Sequence, residues 1–472
     1  MITKGQRRII GLAAVATLVL VACTGGSGND VAGIDRTGAP VIAAYGPISA
    51  FGSVVVGGVH YDSSQATFTI DGDPGTQADL AIGDVVIVKG TLDTGGATGV
   101  AASIRFDNNV EGPIASIDLV GSAFVVLGQT VHVGADTSFD AAIQPAALST
   151  LQVDDVVEVS GLVQSDGSID ATRIERMPSN GTYEIIGTVS GHDTVARTFN
   201  LNAQVVDYSA AQLEHVPDGT IANGQLVEVR GTLAAGLCKA SRVEYQGDVL
   251  AGTSGERREV EGLITRFASA TDFDVAGRPV TTNAQTSYEH GTASDLKLNV
   301  KVEAGGALDS SGVLVASKIE VRRTGSVKIG ALVDSVDAAA NSLVVLGTVA
   351  KLDALTRLED QSSQQVQPFA LGNVVAGDYV EVRGLEQPAG SNQVQATLVQ
   401  RVDARSYVEL RGFVQSVAPP LLTVLGIQID TTGARFEEVS NVAQLKVGDL
   451  VDVTGQRTGD HAMRATRIER DD

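Results

Sequence analysis

Pairs of valines two positions apart recur six times along the chain: Val86/Val88, Val157/Val159, Val227/Val229, Val300/Val302, Val380/Val382 and Val451/Val453. That spacing puts both side chains on one face of a β-strand. The residues between them are Ile87, Glu158, Glu228, Lys301, Glu381 and Asp452, five of the six charged, so each strand is expected to have one buried and one solvated face. A glycine closes the strand at 90, 161, 231, 384 and 455, and Ala304 stands in its place in the fourth copy.

The rest of the unit repeats with the valine strand. Each copy opens on a glycine followed two residues later by an aliphatic (Gly46/Ile48, Gly112/Ile114, Gly187/Val189, Gly262/Ile264, Gly412/Val414), with a one-residue slip at Gly330/Val333. Two more strands meet at a turn carrying Gly57/Gly58, Gly128, Asn202, Gly277, Gly347 or Gly426, residue types suited to a tight hairpin. A variable middle with room for a short helix leads into the valine strand. The last strand carries an alanine three residues before an aliphatic: Ala101/Ile104, Ala171/Ile174, Ala240/Val243, Ala316/Ile319, Ala396/Val399 and Ala465/Ile468. An odd spacing in a strand predicts either a β-bulge between the two or an alanine packed on the outer face.

This pattern predicts an all-β fold, a tandem array of six small OB-like barrels of five to six strands. The repeats run over 44–108, 110–177, 183–247, 258–323, 327–403 and 407–472. Units of this size are marginal alone, so neighbours joined by short linkers are expected to pack together. The longest junction, Gly247 to Arg257, reads as a hinge. Composition agrees: 43% apolar and 19% charged residues mark a folded chain, while 4% aromatics and no Trp suit many thin cores better than one thick one.

The segment 1–22 does not share the pattern. Lys4, Arg7 and Arg8 precede an apolar run from Ile9 to Ala22, too short to span a bilayer comfortably, which reads as a signal peptide. Its end, Leu20-Val-Ala-Cys23, resembles the lipobox of bacterial lipoproteins. That resemblance implies a lipidated Cys23 as the mature N-terminus, an anchor in the cell envelope, and outer-membrane placement where there are two membranes, since Thr24 rather than Asp follows. Residues 23–43 are then a polar tether of roughly 25 Å root-mean-square span. The signal segment takes three positive charges with it from a chain of net charge −22, and so acidic a surface argues against nucleic acid. The other cysteine, Cys238, has no disulfide partner once Cys23 is acylated and reads as a buried, inert strand residue.

Phe51-Gly-Ser-Val-Val-Val-Gly-Gly-Val-His-Tyr-Asp62, Thr69-Ile-Asp-Gly72 and Leu80-Ala-Ile-Gly-Asp-Val-Val-Ile-Val-Lys-Gly90 together resemble the bacterial repeat family called domain of unknown function 5666. Repeats two, five and six match through their Val-Leu-Gly turn and Val-x-Val-x-Gly strand, three and four more loosely. The resemblance implies the fold and an envelope location, and brings no catalytic residues.

Candidate chemistry is sparse. The histidines, His60, His132, His192, His215, His290 and His461, do not converge by position and read as solvated strand residues; no metal or other cofactor is expected. Asp71-Gly-Asp73 lacks the later ligands of a calcium loop and reads as a turn. No nucleophile and base stand in a recognisable pattern, so catalysis is not expected. Repeat four departs most from the others, with Arg257-Arg258, His290 and Arg322-Arg323. The one recurring chemical feature is the set Glu158, Glu228, Glu381 and Asp452, read as solvated charges that give solubility or, if the barrels stack in register, a weak acidic face for cations or a basic partner. The expected role is an interaction or spacer module held at the membrane through Cys23, with an envelope protein as partner; the alternative is a binding protein for a small ligand, cation or glycan on the barrel faces. Nothing in the pattern fixes an oligomeric state.

Overall fold

The computed structural model describes residues 41–471 apart from 95, 145, 180, 249, 323–326 and 389. The stretch read as a signal peptide, Cys23 and most of the stretch read as a tether lie outside the described residues, as does Arg323, and the first strand (Val41–Ala50) takes in the last residues of the latter stretch.

Each repeat closes into a five-strand barrel. In repeat 2 the first strand (Val110–Asp118) pairs with the second (Ala123–Val126), the second with the third (Gln129–Phe139), the third in parallel with the fifth (Ile169–Arg176), the fifth with the fourth (Val156–Val163), and the fourth with the first. This 1-2-3-5-4-1 order, which the residue pattern does not fix, closes the OB-like barrel expected, and all six repeats follow it. In most repeats the third strand is broken in two, as at Thr348–Lys351 and Arg357–Asp360, and a single 3-10 turn such as Leu148–Thr150 fills the variable middle. The cores are aliphatic around a few rings, Tyr61, Phe106, Phe124, Phe139, Phe199 and Phe273 among the largest fully buried side chains.

The odd Ala-to-aliphatic spacing is a β-bulge in all six copies. The register skips one residue of the last strand each time, Ala102, Thr172, Ser241, Ser317, Thr397 and Thr466. Opposite each bulge the alanine faces a glycine of the fourth strand (Ala101 with Gly90, Ala396 with Gly384), and a Cβ there would fall closer than 3.0 Å to a carbonyl oxygen of the last strand. The glycine is therefore a close-approach residue. The Val-Leu-Gly turn has a similar logic: Leu127 and Leu425 adopt positive φ (44° and 50°) and pack onto first-strand glycines Gly112 and Gly412, whose missing side chains leave the room.

Two positions differ from the sequence reading. In repeat 4 the register places Gly306 opposite Ala316, so the equivalent strand is Val302-Glu303-Ala304 and not Val300-Lys301-Val302; the extra valine at 300 disguised a shift of two. In repeat 5 there is no slip: Ala331, buried and paired with Val380, takes the place Gly412 has opposite Val451 in repeat 6.

The barrels join in three pairs through their first strands. The N-terminal half of that strand has one edge left over after pairing with the fourth strand, and the edge is covered by the same strand of another repeat. Repeats 2 and 3 join antiparallel (Val110 to Ile185), repeats 5 and 6 antiparallel (Ile329 to Leu410), and repeat 1 joins repeat 4 in parallel (Ile42 to Arg257 through Tyr45 to Val260). Covering the edge hides backbone groups that would otherwise template foreign pairing. The three pairs are then knitted together. Val85, Leu162 and Leu263, from repeats 1, 2 and 4, form a small apolar cluster, and Val85 N donates to Ser160 Oγ at 2.8 Å. Repeat 5 docks on repeat 2, with Arg383 Nη1 donating to the Thr137 carbonyl at 2.8 Å.

The junction read as a hinge is pinned. Leu250 is buried in the core of repeat 4, and Arg258, itself buried, donates to the carbonyls of Leu250 (2.8 Å) and Ala251 (3.0 Å). Cys238 is buried, its thiol pushed up to about 11 by burial.

Candidate functional site

Three of the four acidic residues expected on a solvated face do not lie there. Glu158, Glu228 and Glu381 are 3%, 1% and 1% exposed, and Glu303, the true counterpart in repeat 4, is 4% exposed. Only Asp452 keeps a partly open side chain, paired with Arg411 at 3.0 Å. The period of two correctly marks a polar face, but joining the barrels edge to edge turns that face into a seam covered by neighbouring repeats. The acids form no line along the molecule; they are distributed over the separate seams.

Each seam solves its charge problem differently. Across the sheet joining repeats 2 and 3, Glu175, Glu158, Glu111 and Glu184 stand successively in register and Arg230 follows. Arg230 Nε lies 3.0 Å from Glu228 and 3.3 Å from Glu184, and its Nη2 donates to the Asp71 carbonyl of repeat 1. Burial, then the charges of Asp71 and Glu228, push the Glu184 carboxyl well above its ordinary range, against the pull of Arg230. In repeat 4, burial likewise pushes Glu303 well up, against the opposing charge of Arg322. Asp107 of repeat 1 is pushed up to about 6, by burial first and against Arg105, with the charges of Glu228 and Asp71 adding to the rise. The seam of repeats 5 and 6 is the opposite case. Burial alone would raise Glu381, but Lys328, Arg383 and Arg405 outweigh it and hold the carboxyl down at about 2.

These directions predict a stability maximum on the acid side of neutrality. Groups raised in the folded state bind protons more tightly there than in the unfolded chain, so Glu184, Glu303 and Asp107 should make the protein more stable as pH falls from 7 through about 6 toward the unfolded carboxylate range near 4. Below that range Glu381 reverses the trend, because its depressed value gives stability that is lost as pH falls toward about 2. Melting temperatures across pH 3 to 8 should peak at roughly pH 5. A curve that falls steadily from pH 7 to 5 would contradict the assignment.

The concave site lies elsewhere, where repeats 1, 2, 4 and 5 meet. Two cavities of about 550 and 820 Å³ share Asp136, Asp295, Lys301, Val321, Arg322, Arg357 and Leu385 in their linings. Strand pairing brings these together: Lys301 and Arg322 face one another across adjacent strands of repeat 4, and Arg357 opens the broken half of the third strand in repeat 5 and reaches across to repeat 2. Of the repeat-four residues singled out in the sequence, His290 and Arg322 line the smaller cavity, Arg258 does not, and Arg257 is exposed. His290 Nδ1 lies 3.0 Å from Glu320. His215 is exposed beside Glu244 and His192 is half-buried against the Tyr208 hydroxyl at 2.7 Å. Among the described residues no group of three His, Cys, Asp or Glu is placed to hold a metal ion.

Arg357 and Asp136 escaped the sequence reading. Arg435 holds the position equivalent to Arg357 in repeat 6, and there it is exposed, so comparing repeats gives no signal for a side chain whose role comes from which repeat stands opposite.

No curated protein matches the chain. Among solved structures, one described as drosophila Unr CSD456 is similar over 44% of this chain and 98% of that one, at 14% identity and a TM-score of 0.14. The family model described as Domain of unknown function (DUF5666) matches six times, at residues 43–105, 111–175, 186–244, 261–320, 331–400 and 411–469. Those matches fall on the six barrels and cover most of the sequence: the chain belongs to the DUF5666 family, as a tandem array of six of its domains.

Proposed function

We propose that this chain is a non-catalytic protein of the bacterial cell envelope, anchored through lipid on Cys23, outer-membrane in a cell with two membranes, and working as an interaction module. The observation that carries the reading is the pairing of repeat 1 with repeat 4, which draws six barrels into one knitted body. A body of this kind offers composite surfaces that no single barrel owns, which favours engagement of an envelope partner over mere reach. The lipobox-like end of the signal segment and the tether support the address. Cross-linking the tagged chain in its native cells, beside a Cys23→Ala variant, tests both parts. The expected result is one abundant envelope protein captured by the wild type, with the variant released to the soluble fraction. A variant that stays membrane-bound removes the anchor, and capture of nothing specific removes the adaptor role.

A second reading, small-ligand binding, is favoured by the two cavities at the four-repeat junction, which replace the barrel faces as the place for it. Their volumes are those of metabolite sites, and junctions between domains commonly host such sites.

A further inference from the structure

We infer that the junction cavities form one site for a small organic anion bearing carboxylate or phosphate groups, centred on Arg357; this rests on the ligand-binding reading and names its ligand class. Lys301, Arg322 and Arg357 belong to the wall that both cavities share. Two of these cations are already neutralised. Lys301 Nζ lies 2.8 Å from Glu261, and Arg322 pairs with Glu303 and, at 2.6 Å, with Glu320.

Arg357 is the exception. It is 6% exposed; its Nη1 donates to the Thr172 carbonyl at 3.2 Å and its Nη2 to the Asp136 carbonyl, and among the described residues it forms no direct ion pair, although the carboxylates of Asp136, Glu359 and Glu261 act on it from nearby. Burial outweighs those carboxylates, and the charge of Arg383 adds to it, so the guanidinium sits below its ordinary range with its desolvation not repaid. The remaining acids of the two linings accept from neutral donors, Asp170 from the Gln164 side chain among them. Asp295 caps its turn by accepting from Thr292 N at 2.8 Å, Asp353 accepts from Leu355 N at 2.9 Å, and Asp136 accepts from Thr397 Oγ1 at 2.7 Å. An entering anion would supply the missing charge and meet a planar donor fork suited to carboxylate or phosphate oxygens.

The surroundings narrow the class. Lys297 lines the larger cavity, exposed and without an ion pair among the described residues, so positive charge extends outward from Arg357. Neither lining contains Phe, Tyr or Trp; the flat rings they hold are the imidazoles of His290 and His132, a small surface for stacking a sugar or base. The volumes admit a metabolite and not a folded polymer.

The test is the melting temperature and binding isotherm of the full-length lipidated chain in non-ionic detergent, titrated at constant ionic strength with citrate, inorganic phosphate, glucose or calcium chloride. Citrate and phosphate should each raise the melting temperature saturably. Arg357→Gln and Leu385→Trp should each weaken their binding at least tenfold. Leu385→Trp fills the shared stretch without removing a charge, so it serves if Arg357→Gln fails to fold. Stabilisation that survives both substitutions, or that follows ionic strength alone, overturns the site. If glucose or calcium binds instead and Leu385→Trp abolishes it, the junction is a ligand site and the anion assignment falls. Silence with all four probes removes the ligand-binding reading as well.

Discussion

Glu381→Gln should destabilise the protein by about 3–5 kcal/mol, the range for removing one partner of a buried ion pair and leaving the other charged. Glu381 is 1% exposed and accepts Arg405 Nη1 at 2.8 Å, Arg383 Nη2 at 3.2 Å and Lys328 Nζ at 3.4 Å. The amide is nearly the same shape, so the loss isolates charge from packing: three cations remain in a seam with one anion fewer. Asp452→Asn removes the counterpart from repeat 6, where both partners are about a third exposed, and should cost under about 1 kcal/mol. Urea unfolding followed by circular dichroism reads both. Equal midpoints for the two variants would show that the seam of repeats 5 and 6 is wet. The first variant should also show a shallower acid limb of the pH profile, since Glu381 is one of the groups that create it, with Asp360, likewise held at about 2, keeping the rest.

Gly384→Ala is the second large effect, a loss of roughly 3 kcal/mol from one added methyl group, near the upper end for overpacking because the obstruction is backbone. At Gly384 a Cβ would fall closer than 3.0 Å to the Gln395 carbonyl oxygen, at the bulge where that glycine meets Ala396. Only separating two paired strands, and with them a wall of the repeat 5 core, would relieve the clash. Gly372→Ala is the matched control. Nothing lies within 4 Å of its added Cβ, and the change should stay within about 0.5 kcal/mol. Because unfolding of joined barrels need not be two-state, the midpoint of the first transition is the quantity to compare. A mild Gly384→Ala would mean the bulge can open without harm.

The same two sites show how much of the fold is legible in the sequence. The bulge is visible in the residue spacing itself, because an alanine and an aliphatic three apart are incompatible with a regular strand, and six repetitions remove coincidence. The polarity of Glu158, Glu228 and Glu381 is equally plain, yet their burial is not. Alternation reports that two faces differ in chemistry; it does not report what covers the polar one, and here the cover comes from residues up to 246 positions away, as in the contact of Arg383 with Thr137. Aligning repeat 4 on its valines misplaces Lys301 by two, since the true register follows the glycine and bulge and not the most conspicuous side chains. The junction cavity leaves no trace in any one repeat. A site assembled from repeats 1, 2, 4 and 5 asks only one or two ordinary residues of each.

The strand pairing of Ile42–Tyr45 with Arg257–Val260 also bears on how such a protein is made and how it evolves. The first domain leaves the ribosome with a bare edge that stays bare until some two hundred further residues have followed, so synthesis must shelter it for that long. Duplication, the route by which arrays gain members, would ordinarily be free to add or drop a unit anywhere. Here deletion of an interior unit would change which strand reaches that edge, so the copy number is a property of the closed assembly and not a count that can drift.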